Sequence, residues 1–140
     1  MNLYLDASVI MRAVLGQAGA LPLPAALEQT VTSMLVRVEC ARTLDRLRFL
    51  GELDDEASAS ANQALRWRYT VMTWIPLSPS VLDRAAQPLR VALGTLDALH
   101  RASAILWREA TGQDVAMATH DRQLALAARA SGLDVVGVTL

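Results

Sequence analysis

Five short runs, Leu3–Leu5, Thr30–Thr32, Thr73–Leu77, Val115–Ala118 and Val135–Val138, are spread along the chain, and helix-length segments separate them. The runs are apolar for their length and lack the alternation of a half-exposed strand. A strand covered on both faces reads that way, and regular strand–helix alternation is the pattern of a parallel sheet between helical layers. The expected fold class is therefore α/β: a mostly parallel central sheet of four or five strands, flanked by helices in three layers. Residues 1–140 are about one domain's worth of chain and show no internal repeat, so a single domain is expected.

Local signals place the helices. One is expected from Ala7 to Leu15, followed by the Gly/Ala/Pro-rich connection Gly16–Pro24. Ser33 is a plausible cap for a helix reaching Leu50, with Gly51 as its stop. A further helix spans about Asp54–Val71, and Ser78-Pro79 opens a short one that Pro88 ends. Thr95 is expected to cap a helix to about Ala110, and Asp121–Ala130 forms the last, stopped by Gly132.

Composition narrows the function classes. All 13 basic residues are Arg, and the net charge is −1, which excludes a strongly basic protein of the histone type but not a local basic patch. The single cysteine, Cys40, excludes an internal disulfide and a Cys-based zinc site; with only His100 and His120, a His-rich metal site is excluded too. The start, MNLYLDAS, has no basic n-region, and no run reaches the ~20 apolar residues of a membrane span. A soluble cytoplasmic protein is expected, with no membrane partner.

Ligands of open parallel sheets bind beyond the C-terminal ends of the strands. Asp6 closes the first strand, Asp121 follows the strand from Val115, and Asp97 lies in the first turn after Thr95. Each alone also reads as a helix cap. Glu39 does not: it lies inside a helix, about 60° from the centre of the face formed by Val36, Cys40, Thr43, Leu47 and Leu50. Its plain alternative is an exposed pair with Arg42 or Arg46. Four acids converging on one edge need a positive charge between them, since two carboxylates ~4 Å apart repel by about 4 kcal/mol at an effective dielectric of ~20. Oxygen donors without Cys or His suit Mg²⁺ or Mn²⁺, ions that activate water and neutralise a phosphoryl group. Phosphodiester hydrolysis is the matching reaction class.

The segments LYLDASVIMRAVL, TSMLVRVECARTLDRL, LGTLDALHRASA and ATHDRQLALAARASGLDVV, in this order, resemble the PIN-domain family, in particular its VapC-type toxin ribonucleases. The resemblance spans nearly the whole chain. It implies a PIN-like fold and Mg²⁺- or Mn²⁺-dependent RNA cleavage, with Asp6, Glu39 and Asp97 as the acidic core and Asp121 as the fourth acid. Ser8 and Thr119 match polar positions that assist metal or water, although Ser8 could equally cap the first helix and Thr119 the last. A homodimer, a small cognate antitoxin covering the site and an RNA substrate are implied as partners. The segment Gly16–Pro24 departs from relatives, which often carry a charged helix there.

Arg37, Arg42, Arg46 and Arg48 on the Glu39 helix, with Arg66 and Arg68 on the next, are candidates for an RNA-backbone patch or simply a solvated surface. Met34, Val38 and Ala41 form a second apolar line, expected to pack within the molecule. Trp67, Trp74 and Trp107 are expected in the core or an interface. His100 reads as a packed, hydrogen-bonded histidine before it reads as a general base. The absence of Lys argues against a response-regulator receiver and weakens a phosphatase of the haloacid-dehalogenase type, the alternative enzyme class; neither a P-loop nor a G-x-G-x-x-G motif occurs. A non-catalytic PIN-fold binding module is the other alternative. For the catalytic reading, replacing Asp6 by Asn is expected to abolish cleavage while leaving or raising the stability of the metal-free protein.

Overall fold

The structure is a computed structural model that describes residues 1–24 and 30–140. Strand β1 (Asn2–Leu5) passes through Asp6 into α1 (Ala7–Val14). Then follow β2 (Thr30–Ser33), α2 (Leu35–Phe49), α3 (Asp55–Thr70), β3 (Thr73–Ile75) and α4 (Pro79–Ala85). The chain ends with α5 (Thr95–Thr111), β4 (Val115–Ala118), α6 (Arg122–Ala130) and β5 (Asp134–Val136). Among the described residues these are five strands and six helices. The sheet order is β3-β2-β1-β4-β5, and every pairing is parallel. The expected α/β architecture is the one observed.

Neighbouring strand residues point to opposite faces, which divides the core in two. Tyr4, Val31, Val115 and Met117 pack with Val81, Leu99, Ile105 and Leu124 of α4, α5 and α6. Leu5 and Ala118 face the other way, against Val9, Ile10, Val36, Cys40, Ala61 and Leu65 of α1, α2 and α3. Leu21 and Leu23, in the Gly/Ala/Pro-rich connection, also pack on this second core, and Arg68 Nη1 donates to the Pro24 carbonyl at 2.7 Å. A bidentate Arg84–Glu109 pair, at 3.0 and 2.9 Å, ties α4 to α5.

Several boundaries differ from those expected, for identifiable reasons. Gly94, not Thr95, occupies the cap position of α5, without a side-chain bond to the first turn. Ser33 remains in β2 while its Oγ accepts the Leu35 amide at 3.1 Å, and Met34 takes the cap position of α2. β3 stops at Ile75 because Pro76 has no amide for the ladder. β5 stops at Val136 because Gly137 turns to φ +103°. The second apolar line on α2 packs only at its start: Met34 is half-buried, whereas Val38 is 59% exposed and Ala41 is exposed. Leu50, expected on the core face, is likewise exposed, and Leu44 is buried in its stead. Trp67 is exposed, with the Arg68 guanidinium over its ring, whereas Trp74 and Trp107 are half-buried against the two cores.

Candidate active site

The chain builds the sheet outward from β1 to β2 and β3, then crosses to the other side of β1 for β4 and β5. That reversal falls at the C-terminal ends of β1 and β4, the position where parallel sheets bind ligands. Leu5 pairs with Ala118, so Asp6 and Thr119 leave the sheet side by side, and the Asp6 amide donates to the Ala118 carbonyl at 3.2 Å.

Asp6 is buried and held at both carboxylate oxygens. Oδ1 accepts the Val9 amide at 3.1 Å, which caps α1, and the Ser8 hydroxyl at 2.6 Å. Oδ2 accepts the Thr119 hydroxyl at 2.6 Å. Both hydroxyls in turn accept backbone amides from the β4–α6 turn, Ser8 Oγ from His120 at 3.0 Å and Thr119 Oγ1 from Asp121 at 2.9 Å. Neither Ser8 nor Thr119 caps a helix, therefore. They clamp Asp6 to the segment that carries Asp121. Asp121 itself caps α6, its Oδ1 accepting the Leu124 amide at 2.8 Å, and its side chain is otherwise exposed.

Glu39 does not pair with an arginine. Its Oε1 meets His100 Nε2 at 2.6 Å, and Arg42 is taken by Asp45 at 2.7 Å. His100, 1% exposed, spends its other ring nitrogen on the Tyr4 hydroxyl at 2.8 Å. Tyr4 lies two residues before Asp6 on a strand and so shares its face; that spacing was the available signal for a residue the sequence reading did not single out. His120 contributes Nδ1 to the Gly137 carbonyl at 2.9 Å, and its buried Nε2 has no partner among the described residues.

Asp97 is half-buried in the first turn of α5 and accepts no hydrogen bond among the described residues. Its carboxyl is held above the ordinary aspartate value, chiefly by burial, then by the Asp121 carboxylate, with Asp6 and Glu39 adding and His100 opposing. The four expected acids therefore share one electrostatic field, and Asp97 is the group that feels it without a compensating donor. Cys40, beneath Glu39, is no nucleophile: burial pushes its thiol up to about 12.

The donors around this position are carboxylate oxygens, the chemistry that suits Mg²⁺ or Mn²⁺. Among the described residues no three His, Cys, Asp or Glu side chains come together closely enough to hold a metal ion. Mg²⁺ rarely needs three, since it usually keeps several waters and takes one or two carboxylates. The donor chemistry, carboxylates without Cys or His, is that of a partly hydrated hard cation taken by one or two of them at a time.

The four α2 arginines have different surroundings. Arg37 stacks over Trp74, 4.7 Å from the ring centroid, and Arg48 pairs with Asp55 at 3.1 Å. Arg42 has Asp45. Arg46 instead lines an open groove of about 390 Å³ with Ser8, Arg12 and Thr43. The groove starts beside the residue that holds Asp6.

Known proteins share this fold. The PIN domain profile matches residues 3–130. The chain belongs to the PIN domain family. PIN domains are usually metal-dependent nucleases. The PIN fold is also shared with two crystal structures: FitAcB from Neisseria gonorrhoeae, at TM-score 0.65 and 18% identity, over 95% of each chain, and PAE2754 from Pyrobaculum aerophilum, at TM-score 0.63 and 22% identity, over 97% of this chain and 84% of that one. No curated protein sequence matches the chain. No helix of the described PIN domain is long and apolar enough to cross a membrane.

Proposed function

We propose that this PIN domain is an endoribonuclease that uses Mg²⁺ or Mn²⁺, and that it is the toxin of a type II toxin–antitoxin pair of the VapC type. The observation that carries the nuclease reading is Asp97: a half-buried carboxylate raised chiefly by its burial and then by three other carboxylates, with no hydrogen-bond donor among the described residues. Such an arrangement costs stability unless a cation is supplied. Asp6, Glu39 and Asp97 would hold the ion directly or through its waters, with Asp121 completing the set. The ion, when bound, would activate water and neutralise charge on the scissile phosphate.

The chain's own residues do the rest. Ser8 and Thr119 keep the Asp6 carboxylate in one orientation, and their bonds to the His120 and Asp121 amides hold the β4–α6 turn against it. Arg46 and Arg12, on the groove beside Ser8, would bind phosphates of the RNA strand leaving the site. Arg37, Arg42 and Arg48 are engaged elsewhere and would contribute less.

The toxin role, the small antitoxin, the homodimer, the cytoplasmic location and the action of residues 1–140 as one PIN-like unit are supported by the sequence resemblance. Exposed Val38 and Ala41 on α2 give such partners an apolar surface to use. The second reading is a PIN-fold binding module without metal, favoured by the lack, among the described residues, of three such side chains close enough together to hold a metal ion.

Incubating the purified chain with single-stranded RNA and Mn²⁺, then sequencing the ends, separates the two. The nuclease reading expects discrete cuts that vanish with a chelator. Intact RNA under all metal conditions, with RNA still bound, would favour the binding module. For the toxin role, expression without the product of the adjacent reading frame should arrest growth, and unaffected growth would contradict it.

A further inference from the structure

We propose that His100 is a positioning residue that sets the orientation of Glu39 from inside the core, and so determines how that carboxylate meets a divalent cation. The inference rests on the metal-site reading above.

A hydrogen-bond chain runs from Tyr4 through His100 to Glu39. Tyr4 Oη lies 2.8 Å from His100 Nδ1, and His100 Nε2 lies 2.6 Å from Glu39 Oε1. The chain joins β1, α5 and α2. A carboxylate only accepts, so Nε2 carries the hydrogen and donates it to Glu39. Nδ1 is then free to accept the Tyr4 hydroxyl hydrogen. Burial raises the Tyr4 phenol, so that hydrogen stays on the oxygen. One tautomer satisfies both contacts, and the Tyr4 and His100 rings meet edge to face at 5.8 Å between centroids.

With 1% exposure and both nitrogens occupied, His100 does not reach substrate, which removes it as a general acid or base. Both its partners are side chains from other elements, and one of them is a candidate ligand. The other Glu39 oxygen, Oε2, has no such tether among the described residues. His100 also stands one turn after Asp97 on α5, so the same helix face carries one candidate ligand and the tether of another. Partners of this kind typically change metal affinity about 10–100-fold when removed.

The test contrasts two polar replacements in the full chain. The His100→Gln amide nitrogen reaches the position of Nε2; the His100→Asn amide reaches only the position of Nδ1. Mn²⁺ dissociation constants are measured by the paramagnetic signal of free Mn²⁺, on variants first shown to melt cooperatively. Wild type should bind. His100→Gln should stay close to it, and His100→Asn should be weaker by about 10–100-fold. In a Glu39→Ala background the two should become equal. Equal affinities of the Gln and Asn variants with Glu39 present would overturn the positioning role and leave the metal site standing. No binding by wild type at millimolar Mn²⁺ would overturn both.

Discussion

Asp6 shows how the surroundings of one side chain change what its replacement does. From sequence, removing its charge is expected to relieve repulsion. The structure gives that carboxylate three donors, Ser8, Val9 and Thr119, while Asp97 has none among the described residues. Asp6→Asn keeps one carbonyl oxygen but puts an NH₂ where Thr119 now donates. The metal-free variant should therefore lose about 1–3 kcal/mol in urea unfolding, because a buried hydroxyl is left without its acceptor. Asp97 reverses the sign. Its carboxyl is raised in the folded state, so the folded chain holds that proton more tightly than the unfolded one. Stability is then highest below the ordinary value of 3.8 and declines as pH rises through the raised folded value. Metal-free Asp97→Asn should melt above wild type at neutral pH, and the gap should narrow as pH falls toward that ordinary value. A gap independent of pH would contradict the raised carboxyl.

At the scale of elements, the β4–α6 turn is the piece most tightly specified by its neighbours. Gly137 sits at φ +103°, and a Cβ there would run into the Thr119 carbonyl oxygen and crowd Leu21. Gly137→Ala should cost about 1–3 kcal/mol from backbone strain and the forced shift of the turn. Because that turn carries Asp121 and clamps Asp6, RNA cleavage should fall with it. Wild-type cleavage and unchanged denaturant midpoints would contradict this coupling. Such long-range closure was not legible in the sequence. Asp6, Asp97 and Asp121 were readable because strand ends and helix starts mark them, and Glu39 because it breaks an apolar face. The Thr119–Asp6 bond spans 113 residues and the Tyr4–His100 bond 96, and no local pattern announces either. The same limit explains Val38 and Ala41, whose apolar spacing resembles a packing face although the fold leaves them exposed.

The whole molecule follows from a simpler rule. Doubly covered strands read as short apolar runs, helices fill the intervals, and only strand order lies beyond that pattern. The order β3-β2-β1-β4-β5, with the chain reversal between β1 and β4, is what brings four dispersed acids into one electrostatic field. If those acids form a cation site, the folded state binds metal and the unfolded chain does not. Mn²⁺ should then raise the melting temperature in proportion to the logarithm of its concentration above the dissociation constant. Contacts from Arg12 and Arg46 to RNA should make binding weaken as salt rises, and replacing either should reduce that salt slope by about one unit.

If the repelling carboxylates at the reversal point are the seat of metal-dependent RNA cleavage, Asp97→Asn is the variant that must lose it. This variant removes the carboxylate without breaking a described hydrogen bond. The measurement is the single-turnover cleavage rate of RNA in Mn²⁺, on protein shown to be at least as stable as wild type without metal. Cleavage should drop by a factor of about 10² or more, the scale on which a lost electrostatic group reduces catalysis. Cleavage at the wild-type rate by folded Asp97→Asn would contradict that role.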